Sequence, residues 1–212
     1  MTGRAARTRE RILNTSLALF NDLGEPRVTT NQIADETDIS PGNLYYHFHN
    51  KDEIVFRLFE RFESRIQETL VTPETRAPDM EDMWLYLHLI FEIIWEYRFL
   101  YRDLPHLLGR DRKLHNHFRR IIDRKIATAR AICEGLVASG VMEASPEEIQ
   151  AVAENIALVA TQWLTFQGIR HRNAALDQEL GRGVYQVISL VVPYLRGEAR
   201  ALLNQLSRVY LI

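Results

Sequence analysis

Apolar residues return every three or four positions from one end of the chain to the other, and alternating β-branched runs bounded by turns are absent. That interval matches the helical turn and not the two-residue pleat of a strand, so the chain is read as all-α. Its 212 residues, 46% of them hydrophobic, suffice for one or two cored domains. The longest apolar stretch, Trp84 to Trp95, carries His88 and Glu92 and falls far short of the roughly 20 residues a membrane helix needs, so no membrane association is expected. A single cysteine, Cys133, excludes an internal disulfide and a multi-cysteine zinc site, which fits a reducing, cytoplasmic setting. The basic-then-apolar start resembles a signal peptide, but Asn14, Thr15 and Ser16 interrupt it and no small-residue cleavage site follows.

Punctuation divides the periodic pattern. A first helix runs from about Ala5 and ends at Gly24 and Pro26. Thr29 or Thr30 caps a short helix to about Thr37, and Ser40 with Pro41 opens one of about two turns. Asn50 with Glu53 resembles a capping box for a helix to about Leu70. Pro73 and Pro78 then interrupt, and beyond them come longer, more apolar helices over about 80–97, 98–108, 111–139, 146–171, 177–195 and 198–210. The chain therefore reads as a domain over 1–50, a connecting helix over 51–70 and a helical domain over 71–212.

Two short helices joined tightly, with Ile33, Ala34, Ile39 and Leu44 turned inward, form the corner of a helix-turn-helix whose second helix can enter a DNA major groove. Its outward residues, Pro41, Gly42, Asn43, Tyr45, Tyr46 and His47, combine open backbone, an amide, two phenols and an imidazole, groups suited to base edges and phosphates. Net charge is no guide: 26 Lys and Arg stand against 28 Asp and Glu, a formal −2. Binding to a polyanion must come from local groups, and Arg4, Arg7, Arg9 and Arg11 face only Glu10 in the first eleven residues.

The order ILNTSLALF, Gly24, TTNQIADETDIS and PGNLYYHFHNKDEIV, over residues 12 to about 55, resembles the TetR family of bacterial transcriptional regulators. The resemblance implies an N-terminal three-helix DNA-binding domain and a C-terminal helical bundle for ligand binding and dimerisation. It also implies a homodimeric repressor released from its double-stranded DNA operator by a small-molecule effector. Carried over by position, Thr30 and Asn31 would touch phosphate and Pro41, Gly42, Asn43 and Tyr46 would face bases. Tyr45, His47 and Lys51 would hold phosphates, Lys51 at a helix start that itself favours an anion. Asn43 is the best base reader, since an amide can pair with the adenine N6 and N7 edge. The chain departs from the family pattern at the turn, where Asp38 replaces the usual glycine and Thr37 the usual alanine, and after Gly24, where Glu25-Pro26 replaces an aromatic residue. Aspartate tolerates a left-handed backbone better than most residues, so the turn should survive.

One two-turn helix reads too few base pairs for useful specificity, so two copies about one DNA turn apart, roughly 34–36 Å, are expected. The helices over 146–171 and 177–195 are the expected seam, through Val152, Ile156, Val159, Trp163, Val184, Val187 and Val191. Ala153, Ala157 and Ala160 form a second stripe for close helix approach, and the plain alternative is that both stripes are intrachain core. In the helix over 80–97, Trp84, His88, Phe91 and Trp95 share one face and Leu87, Ile90 and Ile94 another. With Tyr101, Phe118, Gln162 and Phe166, the aromatic face is the expected ligand-binding lining, although such a stripe can equally be core. An effector that changes DNA affinity ten-thousand-fold must prefer one state by about 5.5 kcal/mol, and the helix over 51–70 is the natural lever.

Other chemistry is not supported. His115 and His117 point roughly 200° apart on a helix and would not share a metal ion. Neither a nucleophile setting nor a phosphate-cradling glycine loop occurs, so no catalytic residue, no metal and no cofactor are assigned and an enzyme is a remote alternative. The second alternative is a helix-turn-helix activator or partner-controlled regulator with no small-molecule ligand.

Overall fold

The computed structural model describes residues 3–73, 75–170 and 176–208. Among them the chain forms eleven α-helices and no strand. The first four are α1 (Gly3–Leu23), α2 (Thr30–Glu36), α3 (Pro41–His47) and α4 (Lys51–Thr69). After the proline-interrupted segment come α5 (Met80–Glu96), α6 (Arg98–Arg102), α7 (Leu104–Arg110) and α8 (Arg112–Ala138). The last three are α9 (Pro146–Arg170), α10 (Leu176–Val191) and α11 (Gly197–Arg208). The expected helix ends at His171 and 210 lie outside the described residues.

Two compact units partition these helices: residues 1–64 with 97–115, and residues 65–96 with 116–212. The first unit is thus built from two separate stretches of chain, whereas the sequence pattern places everything beyond 71 in one C-terminal domain. The single helix expected over 98–108 is also two, α6 and α7. Pro105 lies in the first turn of α7 and has no N–H to continue α6. The Asp103 carboxylate, at the break, accepts from the Glu25 backbone N–H at 2.9 Å instead of capping α7.

The core of the first unit explains why 97–115 joins it. Phe20 packs against Phe99 with ring centroids 5.3 Å apart, and Phe62 lies 5.7 Å from both Tyr97 and Tyr101. Asn21 accepts from the Phe99 N–H and the Arg102 guanidinium donates to the Phe20 carbonyl at 2.7 Å, closing the polar ends of α1 and α6 against each other. Ile12, Ile33, Ala34, Leu44, Phe48, Ile54 and Leu58 complete a core fully shielded from solvent. At roughly 1.5–3 kcal/mol per large side chain, these contacts supply most of the unit's cohesion.

In the second unit, α10 crosses α5 and α9 at Gly183. A Cβ there would collide with the Phe91 ring and lie 2.8 Å from Trp163 Cδ1, so only glycine permits the approach. Gly135 of α8 plays the same part beneath the Pro78 backbone. Gly140, at φ 74°, terminates the α8 segment. Ser145 and Glu148 then form the capping box that starts α9, with the Ser145 N–H donating to Glu148 at 2.7 Å and the Glu148 N–H to Ser145 Oγ at 3.2 Å. Pro193 falls in a 3-10 turn over Val192–Tyr194 that separates α10 from α11.

Candidate functional site

The helix-turn-helix is held by local chemistry. The Thr29 side chain accepts from the Gln32 N–H at 3.2 Å while Gln32 Oε1 accepts from the Thr29 N–H at 2.9 Å, a reciprocal capping box that fixes the start of α2. Ile33 and Ala34 are fully buried on the inner face of α2. The turn passes through Thr37, whose hydroxyl donates to the Ile33 carbonyl at 2.6 Å, and Asp38, the one described non-glycine residue at positive φ, 55°. Ser40 then caps α3, accepting from the Asn43 N–H at 3.2 Å, with Pro41 pre-set for the first helical position. Leu44 is the buried anchor of α3, and Ile39 is half-buried beside it.

This anchoring leaves one face of α3 open. Pro41, Gly42, Asn43, Tyr45 and Tyr46 are exposed, Tyr46 to 78%. The Tyr45 hydroxyl shares a 3.0 Å hydrogen bond with that of Thr30, so the start of α2 and the middle of α3 present one continuous polar edge, with exposed Asn31 beside it. The two remaining expected contacts lie elsewhere. His47 is buried, its ring edge-on to Tyr46 at 5.1 Å and its carbonyl accepting from Arg9 at 2.5 Å. Lys51 is turned inward, its ammonium donating to the Glu25 and Val28 carbonyls at 2.9 and 3.0 Å and lying 3.0 Å from the Glu25 carboxylate. Arg9 stacks over Phe48 at 4.1 Å, while Arg4, Arg7 and Arg11 are exposed along α1.

Sequence reasoning overlooked Glu25 as a structural centre. Its side chain is wholly buried, flanked by Lys51 and Arg110 at 3.0 Å each and by His106 at 3.8 Å. It ties the loop before α2, the first turn of α4 and α7 into one cluster. The signal was present as the departure after Gly24, where a charged residue takes an aromatic position, but its partners lie 26 to 85 positions along the chain and no spacing rule reaches them.

The second unit holds a small apolar cavity of about 60 Å³. Its wall combines Leu70 after α4, Met83, Tyr86, Leu87 and Ile90 of α5, and the α8 face from Lys125 to Cys133. Ile156, Ala157 and Ala160 of α9 with Val187 and Val191 of α10 complete it. Arg124 donates to the Leu70 carbonyl at 3.2 Å and the Tyr86 hydroxyl donates to the Val71 carbonyl, so the chain leaving α4 is fastened beside the wall. Burial pushes the Lys125 ammonium down to about 7 and the Cys133 thiol up to about 11.

None of the eight side chains expected to form the ligand lining borders this cavity. Trp84 and His88 stack with rings 4° from parallel on a partly exposed edge of α5, where His88 lies 3.3 Å from Glu92. Phe91 is core against Gly183, Trp95 is half-buried, Tyr101 is packed in the first unit and Phe118 is core. Gln162 and Phe166 face outward on α9. The Met83, Leu87 and Ile90 face of α5 lines the cavity instead.

The expected dimer stripe is likewise taken up within the chain. Val152, Trp163, Val184, Val187 and Val191 are buried and Ile156 and Val159 half-buried, with Ile156, Val187 and Val191 on the cavity wall. The alanine stripe, Ala153, Ala157 and Ala160, is buried as well. What α9 leaves outside is Leu158, Phe166 and Ile169, at 59%, 50% and 81% exposure.

A capped, charge-anchored helix-turn-helix with an open polar and aromatic reading face, preceding a second helical unit, defines the class of helix-turn-helix DNA-binding regulators. The chain belongs to the TetR family: the family model for bacterial regulatory proteins of the tetR family matches residues 12–58, and that for the bacterial transcriptional repressor TetR matches residues 61–203. A TetR-family transcriptional regulator from Marinobacter aquaeolei is 41% identical over 95% of this chain and 98% of its own, with a TM-score of 0.86. A transcriptional regulator from Saccharomonospora viridis in complex with choline shares the fold at 18% identity, over 87% of this chain and 96% of its own, with a TM-score of 0.67. Among curated proteins, the regulator AcrR of Shigella flexneri is 30% identical over 74 residues, 35% of this chain and 34% of that protein. The chain spans between 23% and 60% of the length of the curated relatives it matches. No described helix is long and apolar enough to cross a membrane.

Proposed function

We propose that this protein is a homodimeric repressor that acts in the cytoplasm by binding, without catalysis, and leaves its operator when a small molecule enters the cavity of the second unit. The observation that carries the reading is the open face of α3, where Asn43 and Tyr46 stand exposed on a helix fixed by the Ser40 cap and the buried Leu44. Asn43 reads adenine, Pro41 and Gly42 allow close backbone approach, and Thr30, Asn31 and Tyr45 hold phosphates. Lys51 and His47 support the reading helix from within, their polar groups being used inside the unit.

The pairing surface is Leu158, Phe166 and Ile169 on α9, since apolar side chains left this open on a soluble helix call for a partner. The effector enters the cavity walled by α5, α8, α9 and α10, and alters DNA affinity through α4, whose first turn holds Lys51 and whose following residue is Leu70 on the wall. A regulator of this fold solved in complex with choline supports a small-molecule ligand.

Selection of bound duplexes from a random pool, followed by footprinting with and without cell metabolites, tests the reading. The expected outcome is an inverted repeat with half-sites about one turn apart, released by at least one metabolite fraction. Binding that ignores sequence, or sedimentation as a monomer, overturns it.

A further inference from the structure

Every fourth residue of α9 from Glu154 to Arg170 is exposed: Glu154, Leu158, Gln162, Phe166 and Arg170. Four residues turn a helix only about 40° past a full turn, so the five form one oblique ridge along its outer side. The chemistry of the ridge reverses about its middle, with an acid and a base at the ends, Leu158 and Phe166 next, and the Gln162 amide at the centre. No charged residue lies between Glu154 and Arg170, and Asn155 and Ile169, also exposed, flank the ridge. Depletion of charge over an open face is the composition of an interface centre, not of a solvated helix. Glu154 accepts from the Gln150 amide at 2.7 Å, and the Arg170 guanidinium lies 5.5 Å from the Phe166 ring centroid.

Resting on the homodimer reading above, we infer that two copies pair α9 ridge against α9 ridge in opposite directions, about a two-fold axis at Gln162. A two-fold contact is self-complementary: what one copy places at a site, the other must match. In the antiparallel sense Glu154 of each copy comes level with the partner's Arg170, and Leu158 with the partner's Phe166. The parallel sense sets Glu154 against Glu154 and Arg170 against Arg170, which repel. Gln162 at the axis meets its own copy, and a primary amide both donates and accepts, so the two bond to each other. Packing of such fourth-residue ridges is the commonest helix contact and crosses the axes at about 50°. A polar pair at the centre of an apolar seam fixes register, because any slip leaves the amides unpaired. The face thus selects a second copy of this chain over other apolar partners.

The test uses the full-length protein under mild oxidation, with Cys133 buried out of reach of the oxidant. Q162C is expected to link to itself. L158C alone and F166C alone are expected to link roughly fivefold less, whereas the two chains co-expressed link L158C to F166C, since a disulfide tolerates only a narrow range of separations. Charge reversal supplies a readout free of cysteine. E154K and R170E are each expected to weaken dimerisation about tenfold in sedimentation, and the double variant to recover most of that loss. Self-linking of L158C and of F166C, as parallel pairing requires, no linking at any of the three positions, or a double variant no better than the singles overturns the register while a dimeric parent keeps the homodimer reading. A monomeric parent removes both.

Discussion

Two buried charges divide the molecule by purpose. Glu25 in the first unit is wholly enclosed yet stands amid Lys51, Arg110 and His106, with backbone groups of the same loop drawn into the cluster. Lys125 in the second unit is almost as deeply enclosed, but borders a hollow walled by Leu, Ile, Val and Met. The first arrangement uses charge to fix geometry, because any departure leaves an uncompensated ion in a dry place. The second sets the charge on the wall of a small apolar hollow. Rigidity suits a helix that reads base edges, and a hollow suits the effector role proposed for the second unit.

The sharpest way to break this contrast is Glu25→Ala. Removing the carboxylate takes the central partner from Lys51 and Arg110, which keep the Glu25 and Val28 carbonyls and Asp52, and the first unit should lose about 3 kcal/mol in denaturant unfolding, at the lower end of such losses because both cations are partly exposed. If instead the variant unfolds like the parent, the cluster is ornamental and the contrast fails. In the second unit, Gly183→Ala should cost about 2 kcal/mol by forcing a methyl group against Phe91 and Trp163, with operator affinity per folded molecule retained.

Asn43→Ala should sacrifice about 1–3 kcal/mol of discrimination at one base pair while leaving affinity for scrambled duplex unaltered, which competition binding would reveal. Replacing both Arg4 and Arg7 by Ala should reduce the slope of log affinity against log salt by about 1.8, equally for all duplexes. A change in sequence preference would show that the arginines read bases. The smallest effect concerns Asp82, near the start of α5, whose carboxylate is held below its ordinary value chiefly by the Arg76 guanidinium at 2.9 Å. A depressed folded value means the contribution is complete above the unfolded value of about 3.9 and disappears as pH falls through the folded one. The stability gap between the parent and Asp82→Asn should therefore be constant from pH 5 to 8 and close below about 4.

What the sequence disclosed follows the range of the forces involved. The caps at Ser40 and Ser145, the proline at the start of α3 and the aspartate in the left-handed turn are settled within four residues and were legible from spacing, which left the α2 cap between Thr29 and Thr30. So were the buried positions Ile33, Ala34 and Leu44, because a short amphipathic helix has one inner face. Tertiary choices were not. α5 is apolar nearly all round, so periodicity gave no preference between the Trp84 edge and the Met83, Leu87 and Ile90 edge, and only the packing of α8, α9 and α10 decided it. On α9 both apolar stripes found partners inside the chain, leaving Leu158, Phe166 and Ile169 as the surface that remained. Lys125 lay in a basic run from Arg110 to Arg130, where surrounding arginines concealed the one lysine that turns inward.

Because the first unit is assembled from both ends of an interrupted stretch of chain, its reading head is not a detachable module. A fragment ending at Ser64 would lack Phe99, Tyr101, Asp103 and Arg110, and with them the aromatic floor and half the charge cluster. Chimaeras that graft this reading head onto another helical bundle must therefore carry residues 97–115 along with the amino-terminal helices.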